Sequence, residues 1–422
     1  MTDLASMPLA DRSESHAARR AALGCMIALA VVLGIGRFAF TPLLPLMLSG
    51  GMLDLRHGGW LASSNYAGYF VGAATCAALR VEHARMVRAG LVLTVLLTLA
   101  MSVTSTFWIW AVVRFAAGVV SAWTFVFASQ WGLRRLATLN ANAWGGVIYT
   151  GPGFGIAGTG LLAGAVAGYG ASVGWAGFAA IAAVLTALVW RVFVVPPAVP
   201  PRDVPLNSTA PAAVQRTNVA PPATTSGSYT EVAPASHRTD AFWLVVLYGI
   251  PGFGYIITAT FLPVIARHAL PPGSAWPDLF WPMLGVALIV GALCAARLPS
   301  HWENRTLLAG CYVLQAAGIA LGIVWPTAGG FALGSVLIGL PFTAITLFAM
   351  REARRLHGDR AAGLMGYATA AYGLGQIVGP LVAAPIAERT GSFSPALWLA
   401  AGALMLGAVG LVAVVLAAQR RR

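Results

Sequence analysis

The 422-residue sequence contains no lysine, only 13 acidic residues, and 9% charged residues in all. A soluble domain carries about 25%. So little charge cannot clothe a surface in water. With 58% hydrophobic residues and a mean hydropathy of +0.77, a soluble enzyme, a DNA-binding protein and a disordered chain are excluded together. Cysteine is scarce as well. Cys25, Cys76, Cys294 and Cys311 lie singly in apolar stretches, with no C-x-x-C pair, and read as free packing thiols. No G-x-x-x-x-G-K-[ST] occurs, which excludes an ATP-driven pump within this chain. No cofactor-binding or metal-ligating pattern is present, and neither group is expected.

What the chain does have is long apolar blocks. About 20 apolar residues span a bilayer as a helix. Twelve blocks qualify, at 21–48, 59–79, 87–104, 106–129, 142–167, 172–195, 241–265, 279–298, 306–325, 328–350, 361–386 and 395–418. They lack the period-2 alternation of a barrel, so the predicted class is an all-α membrane protein. The first block is too long for a signal peptide and lacks a clean A-x-A site, so it reads as an uncleaved span. The blocks imply a tail at 1–20, a bundle at 21–195, a linker at 196–240, a second bundle at 241–418 and a basic tail at 419–422. The linker is rich in Pro, Ser, Thr and Ala with no apolar period, and reads as flexible.

All 26 basic residues are arginine, giving a net charge of +13. With the N-terminus placed in the cytoplasm, 21 arginines fall on that side, three opposite (Arg56, Arg267, Arg389) and two inside the spans. This asymmetry is the positive-inside pattern of an inner-membrane protein with both termini cytoplasmic. It accounts for the charge without a nucleic-acid partner. The two halves also read as weak repeats. Gly34-Ile35-Gly36 in span 1 matches Gly249-Ile250-Pro251-Gly252 in span 7. Gly155 matches Gly375 and Gly118 matches Gly339, at offsets of 215, 220 and 221 residues.

Two local motifs carry a family resemblance. Arg114-Phe-Ala-Ala-Gly118 in span 4 resembles the RxxxG motif of the major facilitator superfamily. Gly151-Pro152-Gly153-Phe154-Gly155 in span 5 resembles the GPxxG core found in many of its exporters and antiporters. The stretches Gly34–Pro45, Asn65–Tyr69 and Gly252–Pro263 resemble the bacterial YbfB/YjiJ branch. The resemblance implies twelve helices in two pseudo-symmetric six-helix bundles, a secondary transporter working by alternating access, and a coupling role for Arg114. The family's Gly…Asp-Arg…Gly-Arg-Arg loop after span 2 is degenerate here (Arg80-Val-Glu82-His-Ala-Arg85-Met-Val-Arg88), which puts its usual salt-bridge latch in doubt.

On these spans every Asp, Glu and His falls in a loop, a tail or at a helix end, leaving Arg37 and Arg114 as the only ionisable groups in the interior. An arginine at bilayer depth costs about 2.5–3.5 kcal/mol on insertion scales and faces a wet cavity or a partner. Arg37 is followed by Thr41, Pro42 and Pro45. Neither proline can donate to the helix ladder, which predicts free carbonyls on Phe38 and Thr41 beside the cation. A substrate role for Arg37 competes with one in which such carbonyls satisfy it and it only fixes packing. Arg114 carries the same pair of readings. If both face one cavity, the inference is an anionic substrate, because a guanidinium fork suits a carboxylate or phosphate; a chloride ion or ordered water is the alternative occupant.

Asn65, Tyr66, Tyr69, Tyr149, Tyr255, Thr258, Tyr372 and Gln376 complete the candidate site. Gly118, Gly151, Pro152, Gly155, Gly379 and Pro380 are the candidates for thinning or bending helices. Arginine does not release a proton in the working range. If transport is proton-driven, the proton travels with an anionic substrate or uses Asp54 or Asp278 near the outer mouth; exchange and uniport are equally compatible. The leading expectation is a monomeric carrier of a small organic anion. An exporter of neutral or amphiphilic compounds, such as sugars or drugs, is the alternative. A membrane-embedded enzyme is remote, its nearest candidate being the ordinary loop His357-Gly-Asp359, and so is a sensor without flux.

Overall fold

Lipid offers no hydrogen-bond partner to a bare backbone, so each apolar run closes its own ladder as a helix. The computed structural model describes residues 9–193, 235–299, 301–358 and 361–420. The first half comprises α1 (Leu9–Leu29), α2 (Phe40–Ser49), α3 (Leu55–Thr75), α4 (His83–Val103), α5 (Phe107–Thr138), α6 (Gly145–Ile148), α7 (Gly151–Ala165) and α8 (Ala171–Val189). The second comprises α9 (Ala235–Ala269), α10 (Trp276–Arg297), α11 (Asn304–Val324), α12 (Ala328–Gly339), α13 (Phe342–His357), α14 (Ala361–Thr390) and α15 (Ser394–Arg420). Three pairs, α1–α2, α6–α7 and α12–α13, are broken rods. Among the described residues, ten helices have the length and hydropathy to cross a membrane. Helix α3, which carries Arg56, His57 and Asn65, falls short in hydropathy, and the fifteen-residue α7 falls short in length.

Helix ends depart from the predicted boundaries. Residues 9–20, expected as tail, are the first turns of α1, and residues 235–240, expected as linker, begin α9. Helix α15 runs through Arg420, inside the predicted basic tail. The rest of the linker, from 196 to 234, lies outside the described residues. Helix α13 continues to His357, well past the predicted end of span 10 at residue 350, so Glu352 is helical and fully buried rather than in a loop. Side-chain caps fix several starts. Asp54 accepts the His57 backbone N–H at 2.7 Å to begin α3, and Glu82 accepts from Ala84 and Arg85 at 2.9 and 2.8 Å to begin α4. Glu82 thus works as a cap inside the degenerate loop. Slight burial pushes the Asp54 carboxyl up, but the His57 backbone and ring and the Arg56 charge outweigh it, and the group lies below its ordinary range.

Glycines make the halves alike in three dimensions. In the first half α3 and α5 cross so closely that a Cβ on Gly68 would sit 1.9 Å from the Phe115 carbonyl oxygen, and one on Gly118 would sit 2.0 Å from that of Asn65. In the second half α10 and α12 repeat the arrangement. A Cβ on Gly291 would meet the Leu340 oxygen at 1.9 Å, and one on Gly339 the Leu284 oxygen at 2.5 Å. Gly155 against Gly34 (2.4 Å) is answered by Gly375 against Gly249 (2.5 Å). The repeat is therefore one of helix crossings, in which small residues let backbones touch. The halves meet along three lines: α2 against α9, α3 against α14, and α7 against α10.

Candidate functional site

The first rod breaks where it carries Arg37. A π-helical stretch, Ala30–Ile35, runs into a turn at Gly36–Ala39 before α2 starts afresh. Pro42 then lies in the first turn of α2, where a missing N–H costs nothing because that turn has no intrahelical acceptor for it. The predicted free carbonyl of Phe38 is not free, since it accepts from the Thr41 N–H at 3.2 Å. The carbonyls that take a side-chain donor lie one and two positions earlier. Arg114 supplies it: Nη1 donates to Gly36 O at 3.2 Å and Nη2 to Arg37 O at 3.0 Å, with the guanidinium 4.9 Å from the Phe40 ring. Asn65 in turn donates its amide to the Arg114 carbonyl at 2.8 Å. Arg114 therefore sits in tight helix packing and holds the break.

Arg37 is 5% exposed and points to the boundary between the halves. Nη2 donates to the Gln376 side-chain oxygen at 2.8 Å, and the Gln376 amide nitrogen donates to the Tyr255 hydroxyl. The guanidinium lies 4.0 Å from the Tyr69 ring centroid and 5.1 Å from that of Tyr66, distances at which a cation is drawn to a ring face. No carboxylate among the described residues pairs with it, and its Nε has no partner. Three more bonds stitch the same boundary. Thr41 donates to the Ala259 carbonyl at 2.9 Å, Ser63 to that of Ile377 at 2.8 Å, and the Tyr66 hydroxyl lies 3.0 Å from that of Thr260.

Tyr372 stacks between Tyr248 (5.0 Å, 24°) and Tyr255 (6.0 Å, 22°), and Phe342 meets Tyr255 edge-on at 5.0 Å. Tyr248, Phe342 and Thr260 were missed from the sequence. Tyr248 carried a usable signal, because it precedes Tyr255 by seven residues, two helical turns on one face.

Two candidates lie elsewhere. Thr258 lines a narrow space with Gly318, Phe331 and Ser335 inside the second half, away from Gln376. Tyr149, at the α6–α7 joint, packs on Phe125, about three turns along α5 from Arg114. Pro152 opens α7 at its first turn and bends no continuous helix, while a Cβ on Gly151 would meet the Met26 carbonyl at 2.3 Å. Pro45 lies inside α2 and Pro380 inside α14. Gly379 admits Ile256 closely, and the Pro380 carbonyl touches Gly59 across the boundary.

A second cluster was missed altogether. Glu352 accepts from Arg305 Nε at 2.6 Å and from Arg355 at 2.6 and 2.8 Å, and Arg305 also donates to Asp240 at 2.7 Å. It ties α9, α11 and α13 together at one end of the second half. Of the two acids considered for coupling, Asp278 is engaged by Arg267, and Asp54 caps α3 and contacts the His57 ring. Asp359 lies outside the described residues.

The sequence matches the family model described as uncharacterised MFS-type transporter YbfB over residues 29–220 and again over 208–412. No curated protein matches it. The crystal structure of an aspartate-to-alanine mutant of the nucleoside transporter NupG is similar with a TM-score of 0.69 at 14% identity, covering 93% of this chain and 99% of that one. Unmutated NupG gives 0.64 at 12%, covering 94% and 99%. At such identities the likeness establishes the fold. The family match spans both halves, and the chain therefore belongs to the major facilitator superfamily, in the family of YbfB-type transporters, and is a multi-pass membrane transporter.

Proposed function

We propose that the chain is a secondary carrier of a small organic anion, working by alternating access in a bacterial inner membrane with both termini in the cytoplasm. The observation that carries this reading is the state of Arg37. A guanidinium is buried between the halves, its partner is a neutral amide, and no acid among the described residues balances it. A charge-assisted bond to a carboxylate or phosphate is about twice as strong as one to a neutral acceptor. An anion oxygen would take the position that Gln376 Oε1 holds, and releasing Gln376 would loosen one of the bonds that join the halves. Arg114 acts as a positioning residue through the carbonyls of Gly36 and Arg37. An arginine side chain offers no exchangeable proton to a coupled step, so a coupling proton is placed on the substrate.

One observation favours a second reading. The stack of Tyr248, Tyr372 and Tyr255 suits a planar ring. The similar NupG structures are of a nucleoside transporter, so a neutral ring-bearing solute is the alternative. Counterflow of labelled carboxylates, and of uridine, into proteoliposomes separates the two. The anion reading predicts that Arg37→Gln lowers carboxylate exchange by about tenfold or more, the loss expected for one charge-assisted bond. Arg37→Lys, a point charge without a fork, falls between. Carboxylate exchange unchanged in Arg37→Gln, or uridine exchange alone, overturns it.

A further inference from the structure

The outer surface of the first half carries a feature outside the candidate site. Between α4 and α8 runs an apolar groove of about 420 Å³, with Val92 and Leu96 on one wall and Ala183 and Thr186 on the other. Val92 and Leu96 are 40% and 53% exposed, so the groove opens toward the surroundings of the helix bundle. Trp190 and Arg191 close it at the arginine-rich face.

Three guanidinium-bearing side chains gather at that closed end. Arg88, from α4, donates to the Trp190 carbonyl through Nε (3.2 Å) and Nη2 (2.9 Å) and lies 4.9 Å from the Trp190 ring centroid. Arg20, from α1, reaches the Arg191 carbonyl at 3.5 Å. Arg191 is itself exposed. The C-terminal carbonyls of α8 offset part of this charge, but among the described residues no ion pair involves any of the three. Each retains donors. Inside the groove, about one and a half turns from Arg191, the buried Thr186 hydroxyl has no hydrogen-bond partner. A charged end, a polar group a short step along the groove and apolar walls beyond follow the order of phosphate, acyl ester and hydrocarbon in a glycerophospholipid. Basic pockets between membrane helices suit anionic headgroups, and tryptophan suits the interface.

We infer that this groove is a binding site for one anionic phospholipid, its phosphate held by Arg20, Arg88 and Arg191 and one acyl chain lying between α4 and α8. The site is separate from the boundary between the halves and does not depend on what the protein carries. Native mass spectrometry of the delipidated full chain, titrated with phosphatidylglycerol or phosphatidylcholine, tests it. The expected result is one phosphatidylglycerol retained at least about tenfold more tightly than phosphatidylcholine. Arg88→Gln with Arg191→Gln abolishes that preference, while Arg134→Gln with Arg135→Gln, which removes equal charge elsewhere on the same face, preserves it. Ala183→Trp fills the groove without touching the arginines and is expected to expel the lipid too, so the test survives if the arginine variant misfolds. Equal retention of both lipids, an unchanged preference in folded Arg88→Gln/Arg191→Gln, or retention undiminished by Ala183→Trp overturns the proposal. So does displacement of the lipid by millimolar inorganic phosphate, which would mark an anion site without an acyl chain.

Discussion

Glu352→Leu is expected to destabilise the second half by about 3–5 kcal/mol, the cost of removing one partner from a buried ion pair. The carboxylate is fully buried and receives three arginine donor bonds of 2.6–2.8 Å. Without it Arg305, 3% exposed, keeps only Asp240. Arg355 has about half of its side chain exposed and turns to solvent, so the penalty falls mainly on Arg305. The double variant Arg305→Met/Glu352→Leu should therefore cost less than Glu352→Leu alone, because a buried pair replaced whole by apolar groups is often neutral. Denaturant midpoints of the purified protein in detergent measure both. A double variant weaker than the single one would show that Arg305 has another essential role.

Gly118→Val is expected to cost about 3 kcal/mol or more, at or beyond the upper end for overpacking. The first added carbon would already stand 2.0 Å from the Asn65 carbonyl oxygen and 2.7 Å from the Tyr69 nitrogen. Both obstacles are main chain, which cannot swing aside as a side chain can. Relief requires α3 and α5 to separate, which stretches the Asn65 to Arg114 bond of 2.8 Å and shifts Tyr69 beneath Arg37. Gly177→Ala is the control, since a Cβ there meets nothing within 4 Å. A Gly118→Val protein with wild-type thermal stability and yield would contradict the close crossing of α3 and α5.

The architecture was legible because its causes are local. Twenty-residue apolar blocks and one-sided arginines report the bilayer directly, and paired glycines 221 residues apart mark equivalent crossings. Arg37 stood out because an arginine with no acid on its span must have a reason to be there. The sequence could not say which carbonyls the break in the first rod would expose, since that depends on where the helix restarts. Pro42 proved to open α2 rather than interrupt a helix, so the Phe38 carbonyl takes the Thr41 N–H, and it is the carbonyls of Gly36 and Arg37 that accept from a side chain. That one difference decides which of the two interior arginines is held by backbone. Glu352 was hidden for a different reason. Arg351-Glu352-Ala353-Arg354-Arg355 has the composition of a solvated loop, and its buried partner Arg305 lies 47 residues away in sequence, while Asp240, which also holds Arg305, lies 112 residues away.

The substrate reading turns on whether the positive charge of Arg37 is available to an anion. Gln376→Glu puts a carboxylate on the side chain that already bonds to Arg37 at 2.8 Å, with almost no change in shape. Calorimetric titration of wild type and Gln376→Glu with the carboxylate most active in counterflow is the direct measurement. The account predicts that the variant keeps or gains thermal stability while binding of the carboxylate weakens by about tenfold or more, because the internal acid now neutralises the cation. Carboxylate bound by the variant as tightly as by wild type would show that Arg37 does not hold the cargo.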